Sequence, residues 1–197
     1  MDEYPFSPAW LSVLQGHEPL HREHHRITVG ASFYGLMARS SQDRDGEVVL
    51  AVRRPDDRLL LHTKPFYPPD TWRMPTGGVE WGETPEEAAH REMAEETGLP
   101  GQVARLLGVL TYEMVAETAA APVRFASAVF LVLAPDLPPA KQDPREQISG
   151  YSWVLPAELD QVAAQLRELP LDWGDWGRFR APAHVLVAAA LLPAQDQ

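Results

Sequence analysis

The segment Gly77–Leu99, GGVEWGETPEEAAHREMAEETGL, places seven glutamates and a single arginine within twenty-three residues. Its local signals specify a helix. Thr84 is a natural N-cap, Pro85 suits the first helical position, and Glu87 completes a T-x-x-E capping box. Gly98 is placed to end the helix in the left-handed conformation that glycine adopts without strain. The spacing therefore predicts a helix over 85–97. At 100° per residue, Glu92, Glu95 and Glu96 share one face with the small side chains of Ala88 and Ala89.

Such a face is unfavourable by itself. Like charges at i,i+3 and i,i+4 each cost about 0.2–0.5 kcal/mol. Anions in the last turn also meet the negative end of the helix dipole, at about 0.3–1 kcal/mol. A helix selected for stability would carry lysine there. A hard dication such as Mg²⁺ or Mn²⁺ prefers carboxylate oxygen and removes both penalties, so a metal site is favoured over a solvated acidic face. Arg91 lies four residues from both Glu87 and Glu95, and its planar fork is suited to holding carboxylates in orientation. Ahead of the helix, Gly77, Gly78 and Gly82 permit positive φ and close backbone approach. The stretch has neither the G-K-S/T of a Walker loop nor the G-x-G-x-x-G of a dinucleotide-binding turn.

Composition narrows the partners. At 197 residues one domain with extensions is expected. A net charge of −11 without any long lysine/arginine cluster argues against nucleic acid and anionic lipid, both of which need a basic footprint. A small phosphorylated ligand remains accessible through a dication. The longest apolar run, HVLVAAALLPA, is too short to span a bilayer, and the acidic start MDEYPFSPAW reads as neither signal nor transit peptide. Cysteine is absent, which removes disulfides and thiolate chemistry. A cytoplasmic protein is expected.

Along the chain, residues 1–26 lack steady periodicity and read as an N-terminal extension with a short helix near Trp10–Gln15. ITVGASFYGLM, VVLAVRR, RLLLHTK, VARLLGVLTYEM, VRFASAVFLVLA and YSWVL read as strands, the fifth apolar enough to be central. PFYPPDTWRMPT is a proline-rich loop carrying aromatics. PAELDQVAAQLREL is an amphipathic helix, and DWGDWG is a turn before a final apolar helix. Strands interleaved with helices indicate an α/β domain with a mixed sheet.

The pattern Gly77-x5-Glu83-x7-Arg91-Glu92-Met93-x-Glu95-Glu96-x-Gly98-Leu99 resembles a complete Nudix box, a signature specific enough to name a superfamily although it covers about an eighth of the chain. The order of the flanking strands extends the likeness loosely over 27–169, with 170–197 as a C-terminal turn and helix packed on that domain. The resemblance implies an α/β/α sandwich with a mixed central β-sheet, here with N- and C-terminal extensions. It implies a hydrolase that uses Mg²⁺ or Mn²⁺ to direct water onto a diphosphate linked to a nucleoside. Carried over, Glu92, Glu95 and Glu96 would be metal ligands together with the carbonyl of Thr76. Glu83 would support the box or a second metal, Arg91 would orient the glutamates, and Gly77 and Gly98 would shape the loop and the helix end. The general base would be Glu92 or a loop glutamate, with Glu146 the leading candidate and Glu113 and Glu117 behind it.

Substrate recognition is expected from outside the box. Trp72, Tyr112 and Phe125, with Phe66 and Tyr67, are candidates to stack on a base. Arg53 and Arg73, with Arg39, Lys64 and Arg124, are candidates for phosphate or ribose. A nucleoside di- or triphosphate is the leading substrate class. ADP-ribose or nucleotide-sugar hydrolysis is the sibling reading, and a non-catalytic nucleotide sensor is the alternative of another class. His17, His21, His24 and His25 raise a second metal hypothesis, but Pro19 breaks the register between His17 and His21 and no carboxylate pattern completes a site, so an ordinary surface reading is favoured. The DWGDWGRFR cluster either caps the core or forms a lid or a homodimer contact.

Overall fold

The computed structural model describes residues 7–15, 21–141, 143 and 145–192. In chain order these form α1 (Pro8–Gln15), β1 (His21–Thr28), α2 (Ala31–Asp43), β2 (Glu47–Arg53), β3 (Leu59–Thr63), β4 (Thr76–Gly78) and α3 (Pro85–Thr97). There follow β5 (Gln102–Val115), β6 (Val123–Leu133), β7 (Gly150–Val154), a 3₁₀ turn (Pro156–Glu158), α4 (Leu159–Arg167) and α5 (Leu171–Leu191).

The strands form one seven-stranded mixed sheet in the order β1-β5-β6-β2-β3-β7, with β4 pairing β2 off that path. β2 runs parallel to β6 and β1 parallel to β5, while the β5–β6, β2–β3, β3–β7 and β2–β4 pairs are antiparallel. β2 shows why two helical layers are required. Its alternate residues Val48, Leu50 and Val52 pack with Trp10, Ala88, Ala89 and Met93 from α1 and α3. The intervening Val49 and Ala51 pack with Phe33 and Met37 of α2, Leu159, Val162 and Leu166 of α4, and Phe179 and Leu186 of α5. A strand buried on both faces reads as a continuous apolar run, and here it produces an α/β/α sandwich. No helix among the described residues is long and apolar enough to cross a membrane.

The structure departs from the sequence expectations in four places, the shortest being β4, since Thr76–Gly78 was expected in a loop and pairs with β2. ITVGASFYGLM is not a strand: β1 ends at Thr28, and Phe33 and Met37 fall one turn apart on the buried side of α2. Part of the segment expected to be an N-terminal extension supplies β1 itself, whose polar sequence HREHHRIT fits an edge strand with one exposed face and one half-buried face at Glu23, His25 and Ile27. DWGDWG is not a turn, because α5 is helical from Leu171. Gly177 sits there because a Cβ would lie 1.9 Å from the Leu166 carbonyl oxygen of α4; it is a contact glycine, not a breaker. The helix expected near Trp10 is present, and Trp10 is fully buried.

α5 also carries a buried polar network. Both carboxylate oxygens of Glu47 accept from Arg180 Nη1 at 2.7 Å, and Ser127 Oγ donates to Glu47 Oε1 at 2.8 Å. One turn on, His184 Nε2 accepts from the Met74 N–H at 3.1 Å. Burial, reinforced by the nearby Arg73 and Arg180 cations, pushes the His184 imidazole down to about 4. A histidine held neutral in the folded state stabilises it fully above the unfolded value of about 6.5, and this contribution is lost as pH falls toward 4. The expected loss is about 3 kcal/mol by pH 4. Denaturant unfolding between pH 7 and 4 should therefore show a shallower acid-side slope in His184→Gln, which keeps an acceptor but does not titrate.

Candidate active site

The glutamate helix forms as its local chemistry requires. The Thr84 side chain accepts from the Glu87 N–H, and the Glu87 carboxylate accepts from the Thr84 N–H at 2.8 Å, closing the capping box. Gly98 ends α3 at φ 62°, ψ 7°, the left-handed region. Of the three loop glycines only Gly82 uses positive φ, at 89°. Gly77 serves close approach instead: a Cβ there would lie 1.7 Å from the Glu92 carboxyl carbon.

Arg91 binds the loop and the helix together. Its Nε and Nη2 donate to the two oxygens of Glu83, each at 2.9 Å, in a bidentate pair. Nη2 also donates to the Gly78 carbonyl at 2.7 Å, while Nη1 donates to Glu92 Oε1 at 2.7 Å and Glu95 Oε2 at 3.3 Å. The sequence suggested Glu87 as a further partner, but Glu87 is committed to the cap. Hydrogen bonding to Glu83, foremost among several contributions, raises the Arg91 pKa. Burial works to raise Glu83, yet the Arg91 fork and the Glu80 N–H outweigh it and hold that carboxyl below its ordinary value.

Glu92 and Glu96 are the buried members, 7% and 1% exposed. Burial raises Glu92 against the opposing pull of Arg91. Burial likewise pushes Glu96 up to about 7, although Arg73 and Lys64 work the other way. Glu96 Oε2 accepts from the Thr76 N–H at 3.1 Å, which brings the carboxylate beside the backbone just ahead of Gly77. Lys64, at the end of β3, lies 3.7 Å from Glu96 Oε1 and 2.7 Å from Glu146 Oε2. The loop glutamate is thus brought to the box through a shared lysine.

The remaining candidates divide. Arg73 is buried; its Nε donates to the Tyr67 hydroxyl at 2.8 Å and its Nη1 to the Met74 carbonyl and Thr76 Oγ1, both at 2.9 Å. It braces the loop and is not free to meet substrate. Tyr112 and Phe125 are core residues packed on Phe179, with centroids 4.7 and 5.9 Å away. They offer no exposed stacking face, which corrects their expected role. Arg53 sits at the far end of β2 beside Asp57, four residues beyond Val49, the partner of Thr76, or about 13 Å along the strand. It does not reach the box. Trp72 lines a separate cleft with Asp70, Gln165 and Glu168. Glu113 pairs with Arg26 and Arg124, and Glu117 is exposed in the loop after β5. His17 lies outside the described residues; His24 bonds Thr111 and His25 bonds Glu23. Trp173 and Trp176, in the segment expected as a core cap, a lid over the substrate or a dimer contact, join Phe66 and Tyr67 beside Lys64, an association that sequence alone does not assign. The DWGDWG repeat was the available signal, obscured by reading its glycines as a turn.

The donors fit a hard dication in kind, since every candidate is a carboxylate or carbonyl oxygen, and Gly77 leaves the space that Glu92 fills. Among the described residues no three acidic or histidine side chains are already gathered as a cage; Arg91 and Lys64 contact these carboxylates instead.

These features define a class: an α/β/α sandwich presenting a glycine loop and an acidic helix with paired, partly buried carboxylates. The NUDIX domain family model matches residues 43–174, about two thirds of the chain, and the protein belongs to that family. A putative mutator protein, MutT4, from Mycobacterium tuberculosis is 39% identical over 74 residues, covering 38% of this chain and 26% of the relative. An RNA pyrophosphohydrolase from Caulobacter vibrioides is 42% identical over 78 residues, covering 38% and 45%. Diphosphoinositol polyphosphate phosphohydrolase 3-alpha from Mus musculus is 48% identical over 54 residues, covering 27% and 32%. The chain thus spans less than half the length of each of these relatives. Among solved structures, a UDP-X diphosphatase aligns with TM-score 0.45 and 20% identity, covering 73% of this chain and 62% of that one.

The packing of Gly77 on Glu92 gives a direct check. Gly77→Ala should displace the Glu92 carboxylate from Arg91 and weaken divalent-cation binding about tenfold or more, read by calorimetric titration with Mn²⁺ as the probe, while the helix content by circular dichroism stays at the wild-type level.

Proposed function

We propose that the protein is a Mg²⁺- or Mn²⁺-dependent pyrophosphohydrolase that cleaves a diphosphate bond in a nucleoside di- or triphosphate by attack of water. The observation that carries this reading is the pairing of buried Glu92 and Glu96 with a glycine loop, where bare carboxylates are costly and hard-cation ligands are not. Glu92, Glu95 and Glu96, with Glu83 and the Thr76 carbonyl, would hold the dications. Bound dications supply charge neutralisation at the diphosphate and acidify water.

The chain's own residues supply the rest. Arg91 fixes the orientation of Glu83, Glu92 and Glu95, so little reorganisation is needed when substrate arrives. Arg73 braces Thr76 from behind. Glu146 takes the proton of the attacking water as its oxygen bonds to phosphorus and the bridging P–O bond breaks. Lys64, 2.7 Å from Glu146 Oε2 and 3.7 Å from Glu96 Oε1, holds Glu146 within reach of the box.

The test is a panel of nucleotides, ADP-ribose, nucleotide sugars and a diphosphoinositol polyphosphate, each scored for phosphate or pyrophosphate release. Turnover should require Mg²⁺ or Mn²⁺, stop with a chelator, and fall about a hundredfold or more in Glu95→Gln and Glu96→Gln. Metal-independent turnover, or wild-type rates in both variants, would contradict the assignment; tight binding without turnover would favour a sensor. Glu146→Gln should lower kcat about a hundredfold with little change in KM. An unchanged kcat would return the base role to Glu92.

A further inference from the structure

Four aromatic rings meet beside the acidic site although they come from two distant segments. Phe66 and Tyr67 lie in the loop after β3, and Trp173 and Trp176 lie in the first two turns of α5. Phe66 and Trp173 are nearly parallel, 24° apart with centroids at 6.4 Å, and Tyr67 stands edge-on to both at 5.1 and 5.7 Å. Trp176 closes the group at 5.0 Å from Tyr67 and 5.3 Å from Trp173. Despite these neighbours, Phe66 is 52% exposed. A core would have covered it.

This cluster is tied to the box by short connections. The Tyr67 N–H donates to the carbonyl of Lys64, whose ammonium reaches Glu146 and Glu96. The Tyr67 hydroxyl accepts from Arg73, which donates in turn to Thr76 Oγ1. Other locations are less suited to a planar ring. The cavity behind Thr76, bounded by Tyr112, Arg180 and His184, is only ≈ 10 Å³, room for about one water. The cleft at Trp72, ≈ 260 Å³, is lined by Asp70 and Glu168 and by no cation. The exposed ring of Phe66 and its neighbours, joined to the box through Lys64 and through the Tyr67–Arg73–Thr76 contacts, place a stacking face next to the acidic site, which a base joined to phosphate requires.

We infer that Phe66 and Trp173 form the specificity subsite for the planar heterocycle of the substrate, so that this protein selects a nucleotide over a diphosphate on a non-aromatic scaffold. The inference rests on the diphosphate-site reading above. α5 then has two duties: Phe179 and Leu186 fill the core, while its first turns shape the substrate.

The test compares two probes in the presence of Mg²⁺: an α,β-methylene nucleoside diphosphate, which is not hydrolysed at that bond, and inorganic pyrophosphate. Affinities are measured by calorimetry for the wild type and for Phe66→Ala, Phe66→Trp, Trp173→Ala and Trp72→Ala. Phe66→Ala removes an exposed ring and so leaves folding intact. It and Trp173→Ala should each weaken the nucleotide about tenfold, within the range for losing one base–aromatic stack. Phe66→Trp should restore nucleotide affinity, and pyrophosphate should bind all five proteins equally. The inference is overturned if Phe66→Ala and Trp173→Ala bind the nucleotide as the wild type does, if both probes weaken in parallel, or if Trp72→Ala alone discriminates. Failure of the wild type to bind either probe would remove the diphosphate-site reading and this inference with it.

Discussion

One guanidinium holds the site together. Arg91 donates to Glu83, Glu92, Glu95 and the Gly78 carbonyl, and the surrounding geometry follows from that contact. Gly77 must lack a side chain because the carboxylate that Arg91 holds occupies its Cβ position. The loop must turn sharply enough to return Glu83 to the helix, which Gly82 achieves at φ 89°. A lysine could not replace this fork, since a point charge cannot satisfy three carboxylates and a carbonyl in a fixed geometry.

The charges around Arg91 do not balance within the protein. Glu83, Glu92, Glu95, Glu96 and Glu146 face Arg91, Lys64 and Arg73. The excess is two negative charges, and one of the carboxyls, Glu96, is pushed up to about 7 by burial, against the pull of Arg73 and Lys64. One hard dication would neutralise the same excess without protonating a ligand. Burial that would be a defect in a purely structural helix is useful in a metal site, where low dielectric strengthens every oxygen–cation contact.

The sequence made the acidic helix legible to the residue because capping boxes, Pro at N1 and Gly at the C-terminus act locally. Central strands β2 and β6 were legible for a similar reason, since burial on both faces leaves a continuous apolar run. The misreadings arose where tertiary contacts decided the outcome. Ile27-Thr28-Val29 carried a strand signal past its true end, and the helical spacing of Phe33 and Met37 was hidden among aromatic residues with β preference. β1 was hard to read because its half-buried face carries Glu23 and His25 as well as Ile27, so the burial alternation is not matched by an apolar/polar one. Gly177 lies in a segment expected to be a turn, although it marks the approach of α4 to α5. Among the site residues, Tyr112 and Phe125 were indistinguishable from surface aromatics until Phe179 was seen to cover them. Lys64 and Glu146 are eighty-two positions apart, and only the fold brings them together.

The central claim is that the carboxylates of α3 are arranged for a dication and not for the stability of the bare protein. Its most direct test is the unfolding free energy of wild type and Glu96→Gln at pH 8, measured with chelator and again with saturating Mg²⁺. Glutamine keeps an acceptor for the Thr76 N–H and removes a charge. With chelator the variant should be at least as stable as the wild type. With Mg²⁺ the wild type should gain stability by the linkage of metal to the folded state, and the variant should gain much less. A variant clearly less stable than the wild type without metal, together with an equal response of both proteins to Mg²⁺, would contradict the account.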